Sequence, residues 1–250
     1  MAITFDVAAT PVFSATASTT LETAAFTIAG SDRCLVVAVL SGAGTPVNPS
    51  AVKWGGSGGV SLTQIGSTVD VGANVKVSIW RLAAPATGSS TVHVTWGSAQ
   101  DERAIVAANY NGVDQTTVNR TAVTATGSGV DPTATVTDTN SQADDWVVDG
   151  VGILDLGGLA PLLAVGAGQT SRGEVEGANL TYEALGTSNE PATGANTVMS
   201  WAVDSNTGNV SWGIIAASLI PSTGGAVAMM EWKQPTSQPT NHFVPTIVMV

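Results

Sequence analysis

A serine set between two pairs of glycines is the residue whose surroundings most directly suggest chemistry. Gly55-Gly56-Ser57-Gly58-Gly59 matches the G-x-S-x-G string that carries the nucleophilic serine of α/β-hydrolases. That motif needs a strand before the serine and a helix after it. The residues that follow, V-S-L-T-Q-I, have the pattern of a strand, and only His93 and His242 could act as the base. The sequence therefore favours a glycine loop over a nucleophile.

Two acidic pairs, Asp144-Asp145 and Glu174-Val-Glu176, could be the two carboxylates of a glycosidase. Such enzymes need a defined separation between the acids and a raised pKa on one of them, and the sequence shows neither. Solvated turn residues are the simpler interpretation. Asp204 and Asn206 precede a glycine with the spacing of a calcium loop, but the usual closing glutamate is absent. An ordinary turn is favoured there, calcium is the weaker alternative, and no other cofactor is expected.

The other reactive or aromatic side chains favour packing over catalysis. His93 has no cysteine or acid at metal-ligand spacing, so no metal site is predicted. Cys34, the single cysteine, lies in the apolar run C-L-V-V-A-V-L and is expected to be buried. Four of the seven tryptophans lie in apolar strand patterns and are expected in the core: Trp96, Trp146, Trp201 and Trp212. Trp80, on the face opposite Val77 and Ile79, is the candidate for a sugar-stacking platform.

Charge and composition argue against several classes of partner. Charged residues make up 11% of the 250 residues, against about 25% in typical soluble proteins, and the formal net charge is -11. Because binding to phosphates needs clustered Lys and Arg, neither nucleic acid nor a membrane is expected as a partner. The first residues lack the basic and apolar regions of a signal peptide, and no run reaches the length of a membrane helix. A protein made without export is expected.

The elements that must position these side chains have the pattern of short β-strands. In residues 91–96, T-V-H-V-T-W, apolar and polar side chains alternate strictly, which is the period of a half-buried strand. Residues 34–40 are apolar on both faces, which predicts a strand at the centre of a two-layer sandwich. Helical apolar spacing persists nowhere for a dozen residues. The predicted fold is all-β, an antiparallel, jelly-roll-like β-sandwich with an extended C-terminal arm.

Residues 1–221 are expected to form the sandwich domain and residues 222–250 the arm. W-V-V-D-G-V-G-I-L at 146–154 resembles the run at 33–40, so a degenerate duplication of segments near 33–110 and 145–220 is one interpretation. Strands of a single sandwich also look alike, which is the other. The arm carries prolines that confine it to extended conformations, and it finishes I-V-M-V. It is expected to lie along another surface or, alternatively, to be an edge strand of its own domain.

Several strings together resemble a known family of structural proteins. They are V-K-W-G-G at 52–56, L-T-Q-I-G at 62–66, V-S-I-W-R-L-A-A-P-A-T-G at 77–88, T-V-H-V-T-W at 91–96 and Y-N-G-V-D-Q-T-T at 110–117. This pattern resembles a jelly-roll-like β-sandwich family of tailed-phage virion proteins that also occurs in bacterial surface proteins. The resemblance covers about residues 33–220 and brings no catalytic residues. This chain departs from it by an inserted S-G-G in the glycine turn, which puts only the local loop geometry in doubt.

The resemblance implies a non-enzymatic virion structural protein, most simply a capsid decoration or cement subunit assembled in the host cytoplasm. Capsid or other virion proteins and further copies of the chain are the expected partners. The expected partner-binding residues all lie in the arm: Pro235, Pro239, Phe243, Pro245, Ile247, Val248, Met249 and Val250. The alternative is a carbohydrate-binding or receptor-binding adhesin that uses Trp80.

Overall fold

The structure, a computed structural model, describes residues 1–42, 44–156, 162–177, 182–204 and 209–223. The first half of the chain forms β1 (Thr4–Ala8), β2 (Val12–Ser14), β3 (Ser18–Glu22), β4 (Phe26–Ile28), β5 (Cys34–Gly42), β6 (Pro49–Trp54), β7 (Val60–Ser61), β8 (Thr63–Val71), β9 (Val75–Ala83), β10 (Gly88–Ser90), β11 (Val92–Gln100) and β12 (Glu102–Asn111). The second half forms β13 (Val123–Ser128), β14 (Thr133–Val136), β15 (Trp146–Asp155), β16 (Leu162–Val165), β17 (Thr170–Glu176), β18 (Tyr182–Pro191), β19 (Thr197–Asp204) and β20 (Val210–Leu219). Within these ranges the single helical element is a 3-10 turn at Asp138–Asn140. The prediction of an all-β, antiparallel sandwich is confirmed.

Strands β1 to β12 form the first roll, which is made of two sheets. Its inner sheet has the order β1-β12-β5-β9-β8, and β2 continues the β1 edge along β12. Its outer sheet has the order β3-β11-β6-β7, and β4 pairs with β10 in a separate ribbon. If β1, β3, β5, β6, β7, β9, β11 and β12 are counted as the eight main strands, this is the strand order of a jelly roll built from two Greek keys.

Strands β13 to β20 form the second roll, which repeats that strand order. Its inner sheet has the order β13-β20-β15-β18-β17, and its outer sheet has the order β14-β19-β16. Each strand of this inner sheet therefore has a counterpart in the first roll. For example, β15 corresponds to β5, and β20 corresponds to β12. An internal duplication would produce this correspondence, although the duplication itself stays a prediction. In the described residues the outer sheet of the second roll has no counterpart of β7.

The two rolls pack through their inner sheets. One buried cluster fills each roll, with Val37, Val94 and Trp96 in the first and Val151, Met199 and Trp201 in the second. A third cluster, which includes Val36 and Val148, lies between the inner sheets. Residues 34–40 are therefore apolar on both faces because their sheet lies between two others. The predicted two-layer sandwich accounts for only one of those faces.

Glycines of the second roll allow the inner sheets to approach closely. A Cβ on Gly150 would lie 2.9 Å from Cγ1 of Ile79, and one on Gly213 would lie 2.6 Å from Cγ1 of Val69. At one edge of the interface Tyr110 stacks edge-on with Phe5 and Trp146, with ring centroids 6.2 and 6.1 Å apart. The interface is thus packed like a protein core.

The segment that enters the second roll and the segment that follows its last strand meet at one end of this interface. After β12 it passes through Val113 and Val118, both buried between the rolls, before it enters β13. The residues after β20 return to this connection, where Val113 pairs with Pro221 and Asp114 N–H donates to the carbonyl of Ile220. The sandwich region predicted for residues 1–221 is therefore two jelly rolls that share one buried interface. Of the predicted arm, residues 224–250 lie outside the described part of the chain.

Candidate functional site

The glycine loop connects two strands of the first outer sheet. Gly55 and Gly56 have φ of 105° and 72°, values that a side chain disfavours, and the chain then enters β7. A helix after the serine, which the hydrolase motif requires, is not present here. His93 lies instead beside Glu22, with Nδ1 3.4 Å from Oε2. The strand that follows Ser57 means that this loop does not have the strand–serine–helix geometry of the hydrolase motif.

The acidic pairs do not behave as two sets of solvated turn residues. Asp144 is exposed in a turn as predicted, but Asp145 is 1% exposed and accepts hydrogen bonds from Arg120 Nε at 2.6 Å and Nη2 at 3.2 Å. Glu174 and Glu176 lie on β17, and burial raises the pKa of both, with the charge of Glu174 adding to the effect on Glu176. The prediction of a turn is therefore wrong for the two glutamates, which lie on a strand although Glu174 is exposed, and the prediction of solvation is wrong for Asp145. Asp145 is part of an ion pair that ties the connection between the rolls to the turn before β15.

The predicted calcium loop is only partly described. Asp204 is the last residue of β19, whereas Asn206 lies outside the described residues. Asp204, Glu174 and Glu176 line one groove at the end of the second roll. Among the described residues no group of three or more His, Cys, Asp or Glu side chains is arranged to hold a metal ion.

The tryptophans divide into core residues and partly buried ones. Trp96 and Trp201 are each 2% exposed, which confirms their predicted burial, while Trp146 and Trp212 are partly buried and pack against the cores. Trp80 packs against the first core from its edge, and its indole N–H donates to Ser78 Oγ at 2.9 Å. It keeps some exposed surface but is not a free platform. Cys34 is buried, as predicted, and burial raises the pKa of its thiol to about 12.

A buried carboxyl in the second core is a feature that the sequence analysis missed. Asp149, on β15, is fully buried and accepts hydrogen bonds from Trp201 Nε1 at 2.7 Å, Ser188 N at 2.7 Å and Ser188 Oγ at 2.9 Å. Burial raises its pKa to about 7, although the three donors oppose the rise. Its signal in the sequence was an acid within the apolar run W-V-V-D-G-V.

A second buried carboxyl lies where the two rolls meet. Glu183, on β18, is 1% exposed, and its carboxylate occupies the space beside Gly42, where a Cβ would be 2.4 Å from Oε1. Burial, then the hydrogen bond and charge of Glu102 and the charge of Asp101, raise the pKa of Glu183 to about 10. Glu183 is therefore a neutral acid at pH 7. No local pattern could have revealed this pair, because its members come from different rolls.

An open cleft lies between the rolls at the point where the described chain stops. Its volume is about 470 Å³, and its walls combine the first residues of the chain, the start of β15 and the end of β18. Met1 N donates to the carbonyl of Ser222 at this cleft, and Thr223 lines it. The predicted partner-binding residues Pro235, Pro239, Phe243, Pro245, Ile247, Val248, Met249 and Val250 follow from Thr223 and lie outside the described residues. The structure therefore locates Thr223, the residue before their segment, at the cleft.

Comparisons with known proteins identify no relative. No family model, no curated protein and no solved structure matches this chain. In the described residues there is no helix with the length and apolar character to cross a membrane. The argument for a function therefore depends on the geometry of the two rolls and on the sequence that follows Thr223.

Proposed function

We propose that this chain is a non-enzymatic structural protein of a phage virion, a decoration or cement subunit attached to a capsid and assembled in the host cytoplasm. The resemblance of its strand motifs to tailed-phage virion proteins motivates the proposal, and jelly rolls are frequent in viral capsid proteins. One observation carries it: Thr223, the last described residue of a closely packed body, lies at the open cleft, and the sequence that follows it bears prolines and has an apolar end.

The two rolls supply a rigid body that does not need the arm for its core. The inner sheets cover each other, and each outer sheet covers one further face, so the described residues already bury three apolar clusters. We propose that segment 224–250, which follows this body in the sequence, binds capsid proteins or further copies. Its prolines reduce the entropy lost on docking, and its apolar end gains about 25 cal/mol for each Å² that it buries.

The outer surface fits a protein that packs among many neighbours. The chain has few charged residues, and its net charge of -11 opposes nonspecific binding to nucleic acid. Attachment through a short apolar segment is weak for one copy, but many copies on one particle act together and raise the total binding. A cement subunit uses this kind of repeated weak contact.

Attachment to particles tests the proposal. Virions are purified on a density gradient from cells that supply the full chain or the chain lacking residues 234–250, and bound protein is measured by immunoblot. We expect the full chain to migrate with intact particles and the shortened chain to remain in the soluble fraction with a nearly unchanged melting temperature. A full-length variant with serine at Ile247, Val248, Met249 and Val250 is the matched control for length and should also be lost from particles. Absence of the full chain from particles would refute the proposal.

A carbohydrate-binding or adhesin role is the second candidate, because Trp80 keeps a partly exposed ring at the edge of the first core. Saturable binding on a glycan array that disappears in Trp80→Ala would favour it. Trp212→Ala, which changes another partly buried tryptophan, is the control for general loss of packing. Unchanged array signals in both variants would leave the structural role as the better explanation.

A further inference from the structure

Two acidic side chains from different rolls meet at the buried interface and are called here the carboxyl pair. Glu102 begins β12 of the first roll and is 7% exposed, and Glu183 on β18 of the second roll is 1% exposed. A hydrogen bond joins their side chains, and the Glu183 carboxyl lies so close to Gly42 that a side chain there would collide with it. Glu183 Oε2 has no hydrogen-bond partner among the described residues. This is unusual, because buried polar atoms normally have a partner.

The carboxyl pair and a set of aromatic rings lie at opposite ends of the interface. Glu102 is opposite Gly42, where β12 begins and β5 ends. Tyr110 is near the other end of β12, where its ring stacks edge-on with Trp146 of the second roll. The two rolls are therefore joined by packed rings at one end and by two acids at the other.

Other titratable side chains lie on the strands that contact β18 and on β18 itself. They are Arg103 on β12, Asp149 and Asp155 on β15, Arg172, Glu174 and Glu176 on β17, Cys34 at the far end of β5, and Glu190 on β18. The charges that raise the pKa of Glu183 come from Glu102 and from Asp101, the residue before it. Both neighbours are acidic, so they oppose ionisation of Glu183.

The two arginines of these strands form hydrogen bonds away from the carboxyl pair. Arg103 Nη2 donates to Ser14 Oγ at 2.9 Å within the first roll, and Arg172 donates to a side-chain oxygen near the other end of β18. Burial has the largest effect on Glu183, and together with the neighbouring acids it raises the pKa of this carboxyl to about 10. At neutral pH a proton therefore neutralises Glu183.

We propose that the carboxyl pair is a proton-dependent contact that closes one end of the interface between the two rolls. A hydrogen bond between two carboxyl groups needs a proton on one of their oxygens. Loss of that proton leaves two buried carboxylates side by side, and they repel each other and need water. In alkaline solution this end of the interface opens, whereas the aromatic end stays packed. The inference concerns the body of the protein and does not depend on the virion role.

The variant Glu183→Gln tests the role of the proton, because glutamine has nearly the shape of the neutral acid and donates a similar hydrogen bond. The pKa of Glu183 is raised from 4.5 to about 10, so its contribution to stability is complete below pH 4.5 and is lost as the pH rises through 10. Relative to Glu183→Gln, the unfolding equilibrium constant of the unmodified protein should rise about tenfold per pH unit between pH 7 and 9. Urea unfolding measures this ratio. Glu190→Gln, on the same strand, is the matched control and should follow the unmodified protein.

Thiol labelling measures where the molecule opens. Ala104, which is buried two residues from Glu102 on β12, is replaced by cysteine in the unmodified protein and in Glu183→Gln. Cys34, buried at the opposite end of the interface, is the internal control. Labelling rates are compared between the two backgrounds at the same pH, so the ionisation of each thiol cancels in the ratio. From pH 7 to 9 we expect this ratio to rise about tenfold or more at position 104 and to stay constant at Cys34.

Three results would overturn the inference. Equal pH dependence of the unmodified protein and Glu183→Gln would show that no proton on Glu183 is linked to folding. A parallel rise of the labelling ratios at both cysteines would show that the whole molecule opens at once. Calcium chloride that stabilises the unmodified protein at pH 9 but not Glu183→Gln would show that a cation, and not a proton, joins the two acids.

Discussion

Each roll buries one tryptophan in its core, but the two indoles donate to different kinds of acceptor. In the first roll Trp96 Nε1 donates to Ser41 Oγ at 2.6 Å, and in the second Trp201 Nε1 donates to Asp149 Oδ2 at 2.7 Å. Both tryptophans lie on the strand that precedes the last strand of their roll, and both are 2% exposed. The two indoles are thus buried to the same extent, whereas the acceptor in the second core is an ionisable group. Two halves with the same strand order can therefore differ in the ionisable groups that they bury.

The largest expected effect comes from removing each indole donor. Trp201→Phe should lower the free energy of unfolding by about 3–5 kcal/mol at pH 8, because it takes a donor from a buried carboxylate. Trp96→Phe should cost about 1–3 kcal/mol, because the hydroxyl that it leaves is neutral. Urea unfolding of the two variants measures the difference, and the equal burial of the two tryptophans makes each the control for the other. Equal costs would mean that the charge on Asp149 does not matter.

A smaller effect is expected where the two rolls meet, since the second roll has Gly150 facing Ala38 of the first. Gly150→Ala places a methyl group 2.9 Å from Cγ1 of Ile79 and should cost about 1–3 kcal/mol by overpacking. Gly97→Ala is the control, because nothing lies within 4 Å of the added carbon. Thermal unfolding followed by circular dichroism compares them. A Gly150→Ala protein as stable as the control would show that the inner sheets can separate to admit the methyl group.

The pH dependence of stability should distinguish the second core from the first. Burial raises the pKa of Asp149 from 3.8 to about 7, so between these values the folded state binds a proton that the unfolded state has lost. Its contribution to stability is complete below pH 3.8 and is lost as the pH rises through 7. Relative to Asp149→Asn, the unmodified protein should lose about 1.4 kcal/mol for each pH unit between pH 5 and 6.5.

Urea titrations at several pH values measure this slope for both proteins. Glu183 has the same sign, with a pKa raised to about 10, but it is present in both proteins and cancels in the comparison. Ser41→Ala, which removes the corresponding acceptor of the first core, should leave the slope unchanged. Parallel curves for the unmodified protein and Asp149→Asn would show that Asp149 does not titrate in this range.

Much of the fold could be predicted from local patterns, since the strict alternation of residues 91–96 gave a correct strand with one buried face. The arrangement of the two rolls could not, because an apolar run such as residues 34–40 shows that both faces are covered but not by which sheet. The candidate site residues were harder to predict from the sequence than the strands were. Asp149 was visible as an acid in an apolar run, whereas Glu183 and Asp145 depend on partners distant in the chain.

The buried interface between the two inner sheets couples the stability of one roll to that of the other. Proteins built from stacked repeats often gain or lose a unit, because each unit contributes its own stability. Here each inner sheet is covered on one side by its own roll and on the other by its neighbour, so either roll alone would expose a broad apolar sheet to water. The halves that look like copies are therefore not exchangeable modules. We therefore expect the two halves to unfold together.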